Sequence, residues 1–236
     1  VKRITDEILD INPGPMFVLT GGEPLLRKDL EEIADYGASR GATVVVGTNG
    51  TGLTENRIRS LKDAGVTGVA VSVDSLLPER NNTFRHGESA LQLTTAAIER
   101  LKLARMDFIV QTTVTRENRQ EVMELARWSA EHGAVSFNLY FLVETGRGQE
   151  MRELPASDNE AILRELVELE KEMRGKMLVR SKCQPALMRV VHQDAPDSPL
   201  TNYSTRCPCG VQYCRITPDG KLTPCPYLPE VAGDLR

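Results

Sequence analysis

No cysteine occurs before Cys183 in this chain of 236 residues; the five present are Cys183, Cys207, Cys209, Cys214 and Cys225. An odd count with no export signal argues against a disulfide framework, and crowding at one end points to a metal site. No apolar run is long enough to span a bilayer and no secretory signal is visible, so no membrane role is expected and a cytoplasmic location is the default. Positive charge is not in excess: the formal net charge is -4, so nothing suggests a sequence-independent nucleic-acid surface. His86, His132 and His192 show no ligand-like spacing. No repeat or low-complexity segment occurs, and no side chain stands out as a general acid or base.

What the chain does have is alternation. Short apolar runs ("MFVLT", "TVVVGTNG", "GVAVSVD", "DFIVQTTVT", "VSFNLYFLV", "KMLVRS") are separated by stretches of helical spacing, the second of which has Thr54 as an N-cap. About six such alternations call for an α/β fold with a parallel sheet and outer helices. The strands are apolar on both faces, as buried parallel strands are. An open doubly wound sheet and a closed or partial barrel both satisfy the pattern. After about residue 181 the sequence becomes loop-like and rich in Pro, Cys, Asp and Ser, which places a domain boundary between residues 1–180 and 181–236.

Ligands of parallel α/β folds bind at the carboxyl ends of the strands. Those ends carry Thr20-Gly21-Gly22-Glu23-Pro24, then Thr48-Asn49-Gly50-Thr51, then Ser72 and Asp74 with Arg85 and His86 following. The later ends carry Gln111, Thr113 and Thr115, then Asn138, Tyr140, Glu144 and Gly146-Arg147-Gly148. Two glycines suggest a phosphate loop, but Glu23 would repel a phosphate. Glycines before a glutamate instead let the backbone approach a ligand while the carboxylate pairs with a cation such as an α-amino group. Asn49, Ser72 and Asp74 suit sugar hydroxyls or an amino acid, and Arg85 suits a carboxylate. An amino acid joined to a nucleoside satisfies the set.

The "TGGEPLLR" stretch resembles the GGEP motif of radical S-adenosylmethionine (SAM) enzymes. "TNGT", "VSVDS" with a following "RHG", "VQTTVTREN" and "FNLYFLVETGRG" resemble the successive strand ends of that family. The resemblance implies an incomplete parallel (β/α)6 barrel, TIM-like. It also implies a catalytic 4Fe–4S cluster that cleaves SAM to a 5′-deoxyadenosyl radical, and an electron donor such as ferredoxin or flavodoxin. Gly21, Gly22, Glu23 and Pro24, with Asn49, Ser72, Asp74, Arg85, Gln111 and Tyr140, become the expected SAM-binding residues. Glu23 and the glycine backbone would hold the amino group, and Arg85 the carboxylate. The family's Cys-x-x-x-Cys-x-x-Cys loop is absent. "VKRITDEILDIN" reads as the helix after it, so the first strand and the loop are expected upstream of Val1. The chain alone is expected to be inactive.

The tail "CRITPDGKLTPCPYLPEVAGDLR" resembles the start of a SPASM-type auxiliary-cluster domain, with further cysteines expected beyond it. Its wording is nearest to members acting on tetrapyrroles in haem-type pathways; peptide-modifying members are the near relatives. Asp219-Gly220 reads as a hairpin turn with Cys225 at its far end. Cys207, Cys209, Cys214 and Cys225 are the expected ligands of an auxiliary Fe–S cluster, although Cys207 and Cys209 need not both bind. Zinc is the other occupant four thiolates suit. Cys183 reads more simply as a lone thiol. Plainer readings stand beside the others: a tight turn at Gly21-Gly22, a solvated acid at Glu23, an αL turn at Asn49, caps at Ser72 and Asp74, a surface ion pair at Arg85. The acidic helix 158–174 reads as a solvated face. A non-catalytic barrel scaffold and a zinc-stabilised binding module are the two readings from other classes.

Overall fold

The computed structural model describes residues 1–145, 148, 153–202 and 207–236. Helix α1 (Lys2–Ile11) precedes β1 (Met16–Leu19), α2 (Leu30–Ser39), β2 (Thr43–Thr48), α3 (Glu55–Asp63) and β3 (Val66–Ser72). Then come α4 (Pro78–Arg85), α5 (Ala90–Leu103), β4 (Asp107–Val114), α6 (Val122–Glu131), β5 (Ser136–Phe141), α7 (Ala156–Met173), β6 (Leu178–Lys182) and α8 (Leu187–Asp194). The six strands form one parallel sheet in the order β1-β2-β3-β4-β5-β6. This order decides between the two architectures left open by the alternation, and bears out the incomplete barrel that the motif resemblance implied. A doubly wound sheet reverses direction at a switch point; here the order never reverses. Right-handed crossovers that always step the same way put every helix on one side, so the sheet is of the incomplete (β/α) barrel type.

Period-two alternation then sorts each strand. Val44, Val46, Val69, Val71, Phe108, Val110, Phe137, Leu139 and Val179 face the helices and build the core. Their neighbours, among them Gly47, Ser72, Gln111, Asn138, Tyr140 and Arg180, occupy the opposite, inner face. Edge strand β1 departs from the apolar-on-both-faces reading: Met16 and Val18 are exposed, because β1 pairs only with β2. Helix α7 turns a buried row (Ile162, Leu163, Leu166, Val167) to the core, so it is solvated on one side only.

Two helices escaped the sequence reading. α4 has only Asn81 buried and carries no apolar period to detect. α8 corrects the loop-like reading after residue 181: Leu187, Val190 and Val191 join the barrel core, as does Leu200 further on. The N-cap at Thr54 is present, its hydroxyl accepting from Arg57 N at 3.2 Å. In the tail, β7 (Arg215–Ile216) and β8 (Lys221–Thr223) form the expected hairpin through Gly220 at φ +79°, and β9 (Gly233–Asp234) adds a third antiparallel strand.

One backbone position has no tolerance. Gly65, at φ +79°, ends the α3–β3 turn, and a Cβ there would lie 2.5 Å from the Ala38 Cβ. Gly65→Ala is expected to cost about 1–3 kcal/mol, from left-handed strain and overpacking together. Urea unfolding measures it; a loss below a few tenths would contradict the close α2–α3 approach.

Candidate functional site

At the β1 and β2 ends, the chain turns sharply after Leu19 and Glu23 caps a 3₁₀ turn, Pro24–Leu26. Both oxygens of the Glu23 carboxylate accept hydrogen bonds. Oε1 accepts from Leu25 N at 3.1 Å and from the Thr48 hydroxyl at 2.6 Å; Oε2 accepts from Asn49 N at 2.8 Å. Glu23 therefore ties the glycine turn to the end of β2. Around Gly21 and Gly22 no atom lies within 4 Å of where a Cβ would stand, which leaves backbone open to close approach. Asn49 forms an Asx turn, its Oδ1 accepting from Thr51 N at 2.9 Å and from the Thr51 hydroxyl at 2.8 Å.

At the β3 end, Asp74 is only 2 % exposed. Its Oδ1 accepts from Thr113 N at 2.8 Å and its Oδ2 pairs with the Arg85 guanidinium. Burial pushes the Asp74 carboxyl up; the Arg85 charge and the Thr113 N–H pull against it. Asp74 is thus an internal counter-ion for Arg85 rather than an open ligand group. Arg85 still lines a cavity of about 290 Å³ with Asn49, Thr51, His86, Ser89 and Thr94, at the N-terminus of α5.

Further round the sheet, register aligns Ser72, Gln111, Asn138 and Arg180 in one inner-face rung, and Thr113, Tyr140 and Lys182 in the next. Gln111 Nε2 donates to the Tyr140 phenol at 3.3 Å. Burial, and then the fields of Cys183 and Tyr213, push the Tyr140 phenol up to about 12, so it stays a donor at neutral pH. Burial, with Arg180 next, pushes the Lys182 ammonium down.

The ten expected residues thus fall into three neighbouring groups along the strand ends. Gly21, Gly22, Glu23, Pro24 and Asn49 share the first, Asp74 and Arg85 the second, and Ser72, Gln111 and Tyr140 the third. Glu144 is exposed beyond β5, whereas Gly146 and Arg147 lie outside the described residues. Sequence reasoning placed Thr48 at a strand end without giving it a role, and missed Asn118, Arg180 and Lys182. Asn118 Nδ2 donates to the carbonyls of Asp74 at 2.8 Å and Thr113 at 2.9 Å, and so locks two strand ends together. Its signal was the Asx-type "TREN" turn, where Thr115 N donates to Asn118 Oδ1 at 2.7 Å.

In the tail, burial and then hydrogen bonding with Cys225 push the Cys209 thiol up to about 11, with Cys207 contributing. Cys183, in left-handed backbone at φ +60°, is pushed up by burial and then by Cys207 and Cys225. It therefore lies close to the tail thiols, which the lone-thiol reading did not foresee. Tyr213 sits in the field of Cys225, Cys214 and Cys183. Among the described residues no three ligand-type side chains are yet gathered closely enough to hold a metal ion.

This arrangement has known counterparts. Residues 1–129 match the radical SAM superfamily, and the chain belongs to it. That family uses SAM and a 4Fe–4S cluster. An AdoMet-dependent heme synthase of Methanosarcina barkeri is 37% identical over 244 residues, covering 100% of this chain and 69% of the relative. Another, of Oleidesulfovibrio alaskensis, is 30% identical and covers 100% of this chain and 63% of the relative. The chain thus spans about two thirds of the length of these relatives. Among solved structures, native anSMEcpe with bound AdoMet superimposes with a TM-score of 0.75 at 18% identity, over 99% of this chain and 67% of that one. This likeness supports the barrel fold. No helix among the described residues is long and apolar enough to cross a membrane.

The site fits SAM by its own chemistry: open glycine backbone, a cationic cavity wall, and protonated donors on the inner face. It offers no thiolate to the catalytic cluster, because no residue before Cys183 is a cysteine.

Proposed function

We propose that the chain forms the SAM-binding barrel of an enzyme that modifies a tetrapyrrole in haem-type cofactor biosynthesis. The match to AdoMet-dependent heme synthases along the whole of this chain carries this reading. A shorter match to an Fe-coproporphyrin III synthase of Methanosarcina barkeri, 28% identical over 150 residues, supports it. In this family the bound cofactors supply a 5′-deoxyadenosyl radical. The residues here bind and orient. The backbone of Gly21 and Gly22 receives the methionine amino group, held in place by Glu23. Arg85, fixed by Asp74, presents its remaining N–H groups to the carboxylate, and the inner-face rungs complete a water-poor chamber. We place the enzyme in the cytoplasm, served by a small electron donor of the ferredoxin or flavodoxin kind. The barrel unit runs through its core residue Leu200, and the cysteine-rich SPASM-like unit follows.

The reading is tested anaerobically on full-length, cluster-loaded protein with SAM, a reductant and iron coproporphyrin III. 5′-Deoxyadenosine formation that rises with the porphyrin supports it. Formation that responds to a peptide instead favours a peptide maturase, and none at all overturns it.

For the tail, Cys207, Cys209, Cys214 and Cys225 are proposed to hold an auxiliary Fe–S cluster, with Cys183 as a further ligand candidate. Removing the catalytic-loop cysteines of the full-length protein is expected to leave iron and acid-labile sulfide bound after reconstitution. Changing Cys214 and Cys225 to alanine as well should remove most of the remainder. Stoichiometric zinc in place of iron would instead make these residues staples of the fold.

A further inference from the structure

Helix α4 carries Arg85 to its place with almost no apolar packing, since Asn81 is its only buried residue. Polar bonds hold it instead, and its two adjacent asparagines face different neighbours. Asn81 Oδ1 accepts from Asp74 N at 3.0 Å, which ties α4 to the end of β3. Asn82 turns to the segment between α4 and α5. Its Oδ1 accepts from Leu91 N at 2.9 Å, its Nδ2 donates to the Glu88 carbonyl, and its own carbonyl accepts from Gly87 N at 3.0 Å. Every polar group of Asn82 other than its helical N–H is thus spent on positions 87 to 91.

Each end of that segment needs the help. At the α4 end, His86 adopts left-handed backbone at φ +54°, which is costly for any residue but glycine. The Gly87–Asn82 bond, with His86 N donating to Thr83 O at 3.3 Å, closes the helix around it. At the α5 end, Leu91 N is one of the orphan groups that an N-cap side chain ordinarily satisfies. Ser89 stands at the N-cap position and makes no side-chain capping bond. Asn82 reaches across from α4 and takes that role, while Ser89 lines the cavity with Arg85, His86, Gly87 and Glu88. Asn82 itself is not among the cavity's lining residues.

We infer that Asn82 is a positioning residue for SAM. It fixes the wall formed by residues 86–89, and Arg85 with it, so that the methionine carboxylate meets a preformed surface. The inference rests on the SAM-site reading above and adds to it the residue that shapes the cavity. A bond of structural value alone would change stability and leave the preference between ligands untouched.

Calorimetric titration of full-length, cluster-loaded protein with SAM and with decarboxylated SAM tests this. Asn82→Ala is expected to weaken SAM about tenfold and the decarboxylated compound by less than about twofold. Asn82→Asp keeps an acceptor for Leu91 N and is expected to recover most of the SAM affinity. Gly65→Ala, which strains a turn at the opposite end of β3, is the destabilised control and should keep both affinities. A wild-type preference for SAM that Asn82→Ala leaves intact overturns the inference and leaves Arg85 as the carboxylate holder. Equal wild-type affinity for the two compounds overturns that role of Arg85, and the inference with it. Equal weakening of SAM in Asn82→Ala and Gly65→Ala reduces Asn82 to a structural part and overturns the inference alone.

Discussion

Arg85→Ala is expected to destabilise the protein by about 3–5 kcal/mol at neutral pH, because it strands Asp74 as a buried, unpaired charge. Asp74 is 2 % exposed, and after the substitution only the Thr113 N–H remains on its carboxylate. The loss depends on pH in a defined direction. Burial already holds the Asp74 carboxyl above its ordinary value, and Arg85 is the strongest opposing influence. Without Arg85 the folded value rises further above the unfolded one. The folded state then binds a proton more tightly than the unfolded state, so stability is greatest below the unfolded value, about 3.9, and falls as pH rises through the folded value. Urea unfolding at pH 5 and pH 8 should therefore show the larger deficit at pH 8. Adding Asp74→Asn should restore most of the loss by removing the charge. A deficit under about 1 kcal/mol at both values would show that Arg85 does not neutralise Asp74.

Most of the frame was legible because buried parallel strands and amphipathic helices have short, independent periods. β2 through β5, α3 with its Thr54 cap, and the Asp219-Gly220 hairpin all stand where residue pattern alone put them. Strand order was not legible in the alternation itself, which is the same in a doubly wound sheet and a barrel; the motifs at the strand ends, by their resemblance, gave the barrel. α4 was invisible for a physical reason: it buries one asparagine, and its work is to carry Arg85 to Asp74. α8 was hidden differently, its apolar positions masked by the surrounding Pro, Cys and Asp. The site residues were found as a set because strand ends are where polar groups interrupt apolar runs. Their partners were not, because pairing across the sheet is long-range. Nothing near Glu23 in the sequence announces Thr48, and nothing near Asp74 announces Asn118. Lys182 looked like the end of a strand until register set it opposite Tyr140.

Glu23→Ala should weaken SAM binding about ten- to a hundredfold, the cost of losing a charge-assisted contact network. Two accounts of that loss differ in what they require of Thr48. If the carboxylate itself grips the methionine ammonium, Thr48 is a bystander, and Thr48→Val should leave affinity unchanged. The bonding supports the other account. Both oxygens are already committed, to Leu25 N, to the Thr48 hydroxyl at 2.6 Å and to Asn49 N at 2.8 Å. Glu23 acts by holding the Gly21-Gly22 turn against the β2 end, so that open backbone meets the ligand in a fixed place. Thr48 is 4 % exposed and near-isosteric with valine, so the substitution removes one donor with little change of shape. It also frees Gly50 N, which donates to the Thr48 hydroxyl at 3.0 Å. Thr48→Val is therefore expected to weaken SAM by several-fold, on the order of 1 kcal/mol, and Thr48→Ser to restore it. Calorimetry on the full-length protein decides the matter. Unchanged affinity in Thr48→Val beside a large loss in Glu23→Ala would assign Glu23 direct contact with the ammonium, and a loss in both makes it the clamp of the turn.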